Sequence, residues 1–389
     1  MTKPRIAITL DEMSVGGIPV ACISFLEALK ERADITMILE SDKGAFTEKI
    51  PEGIKVVVKP NESISTTFKA LLKKRKFFKC ALSAVKYFCY SRMGRWIKAS
   101  AIVNDCKELL LDDEFDCAIA YHGMNAYQMN RALGRLKAKK YLTWIHGDHA
   151  FNVKDFRDAE WLYQHFDRIY CVSEVTRGRF LEDFPSLSDK TDIYYVHMPV
   201  GEIIEKSKSE PLPDFSKDRI NIVTVGRVSS EKGQDLVPSA TKLIIERGIN
   251  VHWYLVGDGD DRARIEKLID EEGMSDHITL LGNKTNPYPY MLACDLYVQP
   301  SYTEGFGITI FEAAILGKPV VATDVGGANE LLRDSEELLF VQPTPNDIAN
   351  GIERILTDEP LREHIQENIS RRDFSNRDEV EKIITLIKE

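Results

Sequence analysis

The sequence predicts an α/β protein of two domains, each built on a parallel sheet. Short apolar segments alternate with amphipathic helical patterns along the chain, in two successive series. Strands that are buried on both faces read as continuous apolar runs, and their alternation with helices favours parallel sheets. The length of 389 residues also favours two domains, at roughly 150 residues each. Two such series therefore indicate two Rossmann-like domains.

The apolar segments give the individual strands. The first series is Arg5–Leu10, Ile35–Leu39, Lys55–Val58, Cys117–Tyr121, Lys140–Ile145 and Arg168–Val172. The second series is Ile220–Val225, His252–Val256, Ile278–Leu281, Leu296–Gln299, Pro319–Ala322 and Leu338–Val341. Residues 200–218 between them are charged, contain prolines and have no clean period, which predicts an interdomain linker. The predicted domains are therefore residues 1–199 and residues 219–372.

Composition excludes several classes of protein. The net charge of −10 argues against a general nucleic-acid binder, which usually carries a basic excess. The seven cysteines are odd in number and show no C-x-x-C spacing, which favours free thiols in a reducing compartment over zinc sites or disulfides. The N-terminus has no secretory signal pattern, and no apolar run approaches the roughly 20 residues that span a bilayer. We expect a cytoplasmic protein.

One segment departs from the acidic balance. Residues 63–104 contain ten lysines and arginines and no Asp or Glu. A helix there would carry an apolar stripe, formed by Leu71, Phe78, Leu82, Val85, Cys89 and Trp96. A basic amphipathic helix can lie on an anionic membrane, although a helix with a core-facing stripe and a solvated basic face fits the same pattern. The absence of acidic residues favours binding of this segment to a membrane, at the inner face of the plasma membrane.

Two cations directly after a strand of the second domain indicate a site for a diphosphate. Arg227 and Lys232 are five residues apart in the loop that follows INIVTV. Both can point to one spot above the carboxyl end of that strand, where ligands of open α/β sheets bind. Two fixed cations there can neutralise a diphosphate and stabilise it as a leaving group. An ordinary charged surface loop is the alternative.

The segment VQPSYTEGFGITIFE is the most informative in the chain. Gly305 and Gly307 permit unusual backbone angles and a close approach of ligand. A helix that begins near Ile308 would direct free N–H groups at a phosphate. Glu304 can accept hydrogen bonds from sugar hydroxyls, and Glu312, about one turn into the helix, can bind the two vicinal hydroxyls of a ribose. We therefore predict an activated sugar as the ligand.

The first domain offers weaker candidates. Gly16 and Gly17 lie between a strand and a helix, where they permit close approach to a phosphate or sugar; a tight turn explains them equally well. They do not form G-x-G-x-x-G, so a dinucleotide site that uses Glu40 is a weak alternative. His146 follows the strand KYLTW and would face an interdomain cleft, where it could donate to a phosphate or a sugar hydroxyl. His122 is a weaker candidate of the same kind, and a structural loop histidine is the alternative for both.

An Asp-x-Asp pattern at Asp258 and Asp260 can hold Mg²⁺ or Mn²⁺ on a nucleotide sugar. A Gly/Asp turn with a helix N-cap explains it fully. We predict no metal, because Arg227 and Lys232 would do the same electrostatic work.

Taken together, these motifs resemble those of retaining glycosyltransferases of the GT-B fold, in the large family 4 group (glycosyl transferases group 1). The matches in the second domain are Gly226-Arg227, Glu231-Lys232-Gly233, Val256–Gly259, Leu281-Gly282, Pro300-Ser301, Glu304–Gly307, Glu312-Ala313, Gly317–Val320 and Gly326-Gly327. The first domain matches less closely, at Gly16-Gly17, His146 and Ser173-Glu174. At the hinge, His197-Met198-Pro199 stands where the family often has Asn-Gly. The fold implied is two Rossmann-like domains whose parallel sheets face each other across a cleft.

The resemblance also implies roles for individual residues. Arg227 and Lys232 would hold the donor diphosphate, Glu304 the transferred sugar and Glu312 the ribose, while His146 would lie near the transferred sugar. The remaining donor-binding positions implied are Gly16, Gly17, Gly226, Asn283, Gly305, Phe306, Gly307 and Ile308. The first domain would bind the acceptor, and residues 373–389 would form a helix that crosses back to it.

The predicted function is that of a retaining, metal-independent hexosyltransferase without a cofactor. Its co-substrate would be a nucleotide sugar, a UDP-hexose or UDP-N-acetylhexosamine. Its acceptor would be a glycan or lipid-linked molecule in bacterial cell-surface polysaccharide synthesis. Catalysis in such enzymes rests on positioning and leaving-group stabilisation, and the leaving phosphate takes the proton of the acceptor hydroxyl. Two alternatives remain: a UDP-sugar 2-epimerase of the same fold, and a catalytically silent subunit of a glycosyltransferase complex.

Overall fold

The computed structural model describes residues 3–14, 16–61, 77–92, 109–147, 156–375 and 378–389. The chain divides into two compact units. The first unit comprises Met1–Val196 and Arg377–Glu389, and the second comprises His197–Asn376.

The sheet of the first unit is parallel throughout, with seven strands among the described residues. They are β1 (Arg5–Leu10), β2 (Asp34–Leu39), β3 (Lys55–Val58), β4 (Glu114–Ala120), β5 (Lys137–Ile145), β6 (Arg168–Cys171) and β7 (Thr191–Ile193). Their order is β3-β2-β1-β4-β5-β6-β7. The central strand β1 pairs with β2 and β4, and its Ile6, Ala7 and Ile8 are completely buried. Six of these strands were predicted; β7 was missed because three residues give no periodicity.

The helices of the first unit lie between the strands. They are α1 (Gly17–Leu29), α2 (Phe77–Arg92), α3 (Ala126–Arg135), α4 (Phe156–Tyr163) and α5 (Glu174–Asp183). Side chains cap two of them: Asn125 accepts hydrogen bonds from the first turn of α3, and the hydroxyl of Ser173 accepts one from Thr176 N at 3.0 Å. The cap by Ser173 thus gives a structural reason for the Ser173-Glu174 pair found in the sequence.

Helix α2 belongs to the basic segment and exposes apolar side chains. Leu82, Val85 and Phe88 are 46%, 59% and 56% exposed, and Cys89 beside them is exposed with a free thiol. In the described residues this part of the predicted stripe therefore faces away from the core. Leu71 and Trp96 lie outside the described residues. None of the described helices is both long and apolar enough to cross a membrane.

The second unit contains a six-stranded parallel sheet among its described residues. The strands are β8 (Ile220–Val225), β9 (Val251–Val256), β10 (Ile278–Gly282), β11 (Leu296–Gln299), β12 (Val320–Thr323) and β13 (Leu339–Val341). Their order is β10-β9-β8-β11-β12-β13. All six match predicted strands. The order reverses between β8 and β11, so the loops after these two neighbouring strands emerge at the point where ligands of such sheets bind.

Eight helices accompany this sheet in the described residues. They are α6 (Val200–Ser207), α7 (Val237–Glu246), α8 (Arg262–Glu271), α9 (Tyr288–Ala293), α10 (Ile308–Ile315), α11 (Ala328–Leu331), α12 (Pro345–Thr357) and α13 (Glu359–Arg371). Within the predicted linker at residues 200–218, α6 forms and packs on α9 and α10. Ile203 supplies the buried contact that the charged composition had hidden.

The last helix, α14 (Glu379–Lys388), contacts the first unit. Glu381 forms an ion pair with Arg32 after α1. Lys382 donates to the carbonyl of Ile193 at 3.0 Å, and Glu379 accepts from Tyr195 N at 3.1 Å. These contacts tie the end of the chain to the β7 edge of the first sheet.

Candidate functional site

The loop after β8 carries the two predicted cations. Gly226 continues from the strand, with its N–H bonded to Val256 O at 2.9 Å. The side chain of Arg227 is 70% exposed, and its Nη2 donates to Glu231 Oε1 at 2.5 Å. Lys232 is mostly buried, and its Nζ donates to Glu304 Oε2 at 2.8 Å. The structure thus brings Lys232 and Glu304 together, while each cation already has a carboxylate partner.

A glycine makes this contact sterically possible. Gly233 lies in the left-handed region at φ +66°, and a Cβ there would come within 2.0 Å of Pro300 O. The loop after β8 can therefore rest directly against the end of β11. Tyr302 N donates to Glu231 O at 2.9 Å and joins the same two loops. This close packing sets the reach of Lys232 to Glu304.

The loop after β11 holds Glu304 in a buried position. Its Oε1 accepts from Ser301 Oγ at 2.7 Å and from Gln299 Nε2 at 3.2 Å. Behind it, Gly326 has φ +76°, and a Cβ at that position would come within 2.3 Å of Glu304 O. Both oxygens of the Glu304 carboxylate are therefore held by the protein.

Helix α10 begins directly after this loop. Gly307, at φ +85°, is its N-cap residue and supplies no side-chain hydrogen bond, so the first N–H groups are uncapped. Gly305 O accepts from Gly327 N at 3.0 Å. Phe306 stacks on Phe311 with ring centroids 4.6 Å apart. The loop and the first turns of α10 are thus fixed to each other, with Ile308 as the first helical residue.

Glu312 lies inside α10 and is buried. Desolvation by burial raises the pKa of its carboxyl to about 7, against the opposing effect of a hydrogen bond from Tyr288 OH to Oε1 at 2.9 Å. The charge of Lys206 on α6 also opposes the rise. Among the described residues, Glu312 Oε2 accepts no hydrogen bond. One oxygen of a buried carboxyl is thus left for a hydroxyl partner.

The other candidates of the second unit lie in neighbouring loops. Asn283 is exposed directly after Gly282, whose carbonyl accepts from Gly257 N at 2.9 Å at the end of β9. Asp258 accepts from Gly259 N at 2.8 Å, as expected of a tight turn. Asp261 is the N-cap residue of α8, as the sequence suggests, but its side chain makes no capping hydrogen bond and pairs with Arg264 instead. The described residues include no group of three or more His, Cys, Asp or Glu arranged to hold a metal.

In the first unit, His146 lies directly after β5 and contacts Tyr121. Its ring Nε2 is 2.8 Å from Tyr121 O, and desolvation lowers the pKa of the imidazole to about 3. A carbonyl can only accept, so Nε2 carries the proton and Nδ1 is an acceptor. The predicted donation from His146 to a phosphate or a sugar hydroxyl stays a prediction, and in this structure the one N–H of the ring is directed at Tyr121 O. Acceptance from a sugar hydroxyl remains open to it.

The glycine loop of the first unit is open. Gly16 has an extended backbone at φ 165°, and a Cβ on Gly17 would meet nothing within 4 Å. His122 Nδ1 lies 3.7 Å from Asp11 Oδ2. Glu40 lies 3.4 Å from Gln128 Nε2. The predicted residues of this unit lie at the carboxyl ends of different strands, and among the described residues no hydrogen bond or ion pair joins Gly16, Gly17 and His146 to one another.

The sequence did not predict a role for four residues of the second unit that contact the site. Gln299, Ser301 and Thr309 surround Glu304 or the start of α10, and Tyr288 contacts Glu312. The only available signal was a glutamine at the end of a fully apolar strand.

Comparison with known proteins finds a matching family model and several similar proteins. The family model described as Glycosyl transferases group 1 matches residues 205–372. A lipopolysaccharide core biosynthesis glycosyltransferase, LpsD of Rhizobium meliloti, is 32% identical over 260 residues, which are 61% of this chain and 71% of that protein. The alpha-D-kanosaminyltransferase of Streptomyces kanamyceticus is 37% identical over 155 residues, 39% of this chain and 40% of that enzyme. For other curated relatives that it matches, the chain spans about half of their length, from 40% to 54%.

A solved structure extends the likeness to the whole fold. The crystal structure of HepE from Anabaena, in complex with UDP and glucose, matches with a TM-score of 0.73 at 20% identity. The match covers 99% of this chain and 100% of that one. At this identity the likeness concerns the fold, and it confirms the predicted GT-B fold.

Proposed function

Given that the chain belongs to the glycosyl transferases group 1 family, we propose that it transfers a hexose from a nucleotide sugar to a glycan or lipid-linked acceptor. The observation that carries the proposal is the Lys232–Glu304 contact at 2.8 Å, at the carboxyl ends of β8 and β11. A cation beside a carboxylate supports the proposal, because the cation suits a phosphate and the carboxylate suits the hydroxyls of the sugar joined to it.

The diphosphate would bind to Arg227, Lys232 and the uncapped start of α10. The ammonium of Lys232 has three donors, of which Glu304 takes one. The guanidinium of Arg227 has five donors and is largely exposed, so a phosphate can bind without full loss of its Glu231 contact. The first N–H groups of α10 add positive potential.

The sugar and ribose would bind to the two glutamates. The free oxygen of Glu312 suits a ribose hydroxyl, and Glu304 suits a hydroxyl of the transferred sugar. UDP is the nucleotide we propose, supported by the presence of UDP in the similar structure of HepE.

The reaction we propose retains the configuration at the anomeric carbon and needs no metal. The bond between that carbon and the diphosphate oxygen breaks, and the electron pair stays on the oxygen. The acceptor hydroxyl oxygen bonds to the same face of the carbon, and its proton passes to the leaving phosphate oxygen. Arg227 and Lys232 stabilise the charge that develops on the diphosphate.

A donor screen tests the function. UDP-glucose, UDP-galactose and UDP-N-acetylglucosamine would be scored for thermal shift, hydrolysis and transfer, with Arg227→Ala and Glu304→Ala as loss-of-function variants. Donor turnover that increases with added acceptor is expected. Conversion of the sugar without any acceptor would indicate an epimerase, and no donor response would indicate a silent subunit. Turnover unaffected by Arg227→Ala would overturn the site as described.

We also propose that the basic segment 63–104 binds an anionic membrane surface, which would bring a lipid-linked acceptor to the enzyme. The support is the absence of acids in that segment together with the exposed Leu82, Val85 and Phe88 of α2. Vesicle flotation would compare the wild type with a Leu82→Ser, Val85→Ser, Phe88→Ser variant and with a charge-neutralised variant. Leu212→Ser is the matched control, because Leu212 is exposed in the second unit. Equal flotation of all four proteins would remove the membrane from the proposal.

A further inference from the structure

Gln299 is a buried glutamine at the end of β11. All four residues of that strand, Leu296–Gln299, are buried, and the Gln299 side chain is 1% exposed. A primary amide out of contact with water costs free energy unless its hydrogen bonds are made within the protein. Its partners therefore indicate why a polar residue occupies this place.

The amide of Gln299 makes every hydrogen bond that it can make. Its Oε1 accepts from Tyr297 OH at 2.7 Å and from Thr309 Oγ1 at 3.2 Å. Its Nε2 donates to Ser301 Oγ at 2.9 Å and to Glu304 Oε1 at 3.2 Å. An amide has two N–H groups and two carbonyl lone pairs, so its capacity is filled. The carboxylate of Glu304 accepts only, which fixes which end of the amide faces it.

These contacts join three segments of the proposed donor site. The hydroxyl of Tyr297 also lies 3.4 Å from Val225 N, at the end of β8 and next to the Arg227 loop. Thr309 is the second residue of α10. Glu304 lies in the loop between them. One side chain therefore couples the loop of the cations, the loop of the sugar-binding carboxylate and the start of the helix.

The same contacts determine how much of Glu304 remains for a ligand. Oε1 receives two hydrogen bonds, from Ser301 and Gln299, which fill its two lone pairs. Oε2 receives one, from Lys232. Among the described residues, Glu304 therefore retains a single open acceptor direction, on Oε2. A carboxylate in this state can accept from one sugar hydroxyl in one direction.

We infer that Gln299 is a positioning and specificity-determining residue, which holds Glu304 so that it recognises one hydroxyl of the transferred sugar. The inference rests on the proposed function for the identity of the ligand. Removal of the amide donor would free a lone pair on Oε1 and let the carboxylate turn. The enzyme would then lose rate with its preferred donor and discriminate less between sugars that differ in one hydroxyl.

The test compares Gln299→Leu with the wild type on UDP-glucose, UDP-galactose, UDP-N-acetylglucosamine and UDP. We expect kcat/KM with the preferred donor to fall on the order of 10- to 100-fold, since small misplacements of a positioned group have effects of this size. The preference among the three sugars should narrow, and the affinity for UDP should stay within about twofold. A purely structural role would weaken UDP and UDP-sugars alike. An unchanged sugar preference would overturn the inference.

Gln299→Glu gives a second signature. This variant places a second carboxyl group against Glu304. The two carboxylates repel each other at high pH and share a proton at lower pH. The deficit of this variant should shrink as the pH falls, whereas that of Gln299→Leu should not. Thr241→Val is the control for loss of a buried hydrogen bond elsewhere in the same unit, because Thr241 Oγ1 donates to Val237 O at 2.8 Å, away from these loops. It should lower stability without a change in sugar preference.

Unfolding experiments separate this inference from the proposed function. If the wild type turns over no nucleotide sugar, the proposed function fails, and the coupling of Gln299 to Glu304 is read from melting temperatures. The melting temperature of the double variant should then fall by clearly less than the sum of the decreases caused by Gln299→Leu and by Glu304→Ala alone. Fully additive losses would overturn the positioning role.

Discussion

Two buried glutamines, Gln299 in the second unit and Gln128 in the first, have very different hydrogen-bond surroundings. Gln299 in the second unit has partners for all four hydrogen-bonding positions of its amide. Gln128 in the first unit, fully buried on α3, has one long contact of 3.4 Å to Glu40, and among the described residues its Oε1 has no hydrogen-bond partner. Arg131, one turn further on, makes no hydrogen bond through Nε or Nη1 within the same part of the chain, and its Nη1 lies 3.8 Å from Glu40 Oε2.

The difference indicates that the hydrogen-bond network around Glu304 is preorganised, whereas the surroundings of Gln128 are not. The cation loop beside Glu304 is less closed, because the buried Gln234 there has no hydrogen-bond partner for its Oε1 among the described residues. Electrostatic catalysis depends on groups that do not reorganise during reaction, and a closed network of hydrogen bonds supplies this. A buried polar group without a partner costs stability. Substitutions in the network around Glu304 should therefore damage function strongly, while substitutions around Gln128 should be tolerated by the donor reaction.

Loss of Lys232 should have the largest effect. Lys232→Ala removes a donor to the diphosphate and leaves the buried carboxylate of Glu304 without its cation. We expect kcat to fall by about 10²- to 10³-fold, the range found when one preorganised donor is removed. Steady-state kinetics with the preferred donor measure it. Lys242→Ala, which removes an exposed pair with Glu272, should leave kcat unchanged; equal losses in both variants would point to a general charge effect.

Gly233→Ala should follow, with a loss of about 10- to 100-fold in kcat/KM. The added methyl would meet Pro300 O at 2.0 Å and push the two loops apart. Gly317→Ala is the matched control, because Gly317 also has positive φ but nothing lies within 4 Å of its Cβ position. Backbone strain alone would affect both variants equally, so equal kinetics in the two would contradict the importance of loop contact.

Glu312 should make stability depend on pH. Its folded pKa of about 7 exceeds the ordinary 4.5, so the folded state binds this proton more tightly than the unfolded state. Wild-type stability should therefore be greatest below about pH 4.5 for this group and fall as the pH rises through about 7, by about 3 kcal/mol at most. Glu312→Gln should remove this decline while it weakens UDP binding. Chemical denaturation at several pH values checks it, and parallel curves for the two proteins would contradict it.

The smallest effect should come from Gln128→Leu. This change removes a carbonyl oxygen that has no partner, so the melting temperature should change little or rise. Donor affinity should stay within about twofold, in contrast to Gln299→Leu. A donor defect as large as that of Gln299→Leu would erase the distinction between the two glutamines.

The same contrast governs what the sequence could predict. Twelve strands were predicted because parallel strands buried on both faces, such as Val320–Thr323, are continuous apolar runs. Glu304 and Lys232 were found because glycines and charges beside strand ends imply close ligand approach. The direct contact between Lys232 and Glu304 could not be predicted, because it depends on the close approach of Gly233 to Pro300, which are 67 residues apart in the chain.

Two features were hidden from the sequence for physical causes of the same kind. His146 was predicted to donate to a phosphate or a sugar hydroxyl, but its N–H donates to the carbonyl of Tyr121, and backbone partners leave no mark in a sequence. Residues 200–207 were assigned to a linker because charged residues hid a helix with one buried side, at Ile203. Tertiary partners decide both cases.

The central claim is that a prebuilt Lys232–Glu304 site in the second unit recognises the sugar of a nucleotide sugar. Calorimetric titration of UDP and of the preferred UDP-hexose into the wild type and Glu304→Gln tests it most directly. We predict that Glu304→Gln binds the UDP-hexose with an affinity about tenfold or more below that of the wild type, because it loses the contribution of the sugar. Both proteins should bind UDP equally. Equal loss of UDP and UDP-hexose affinity in Glu304→Gln, or no loss of either, would contradict the claim.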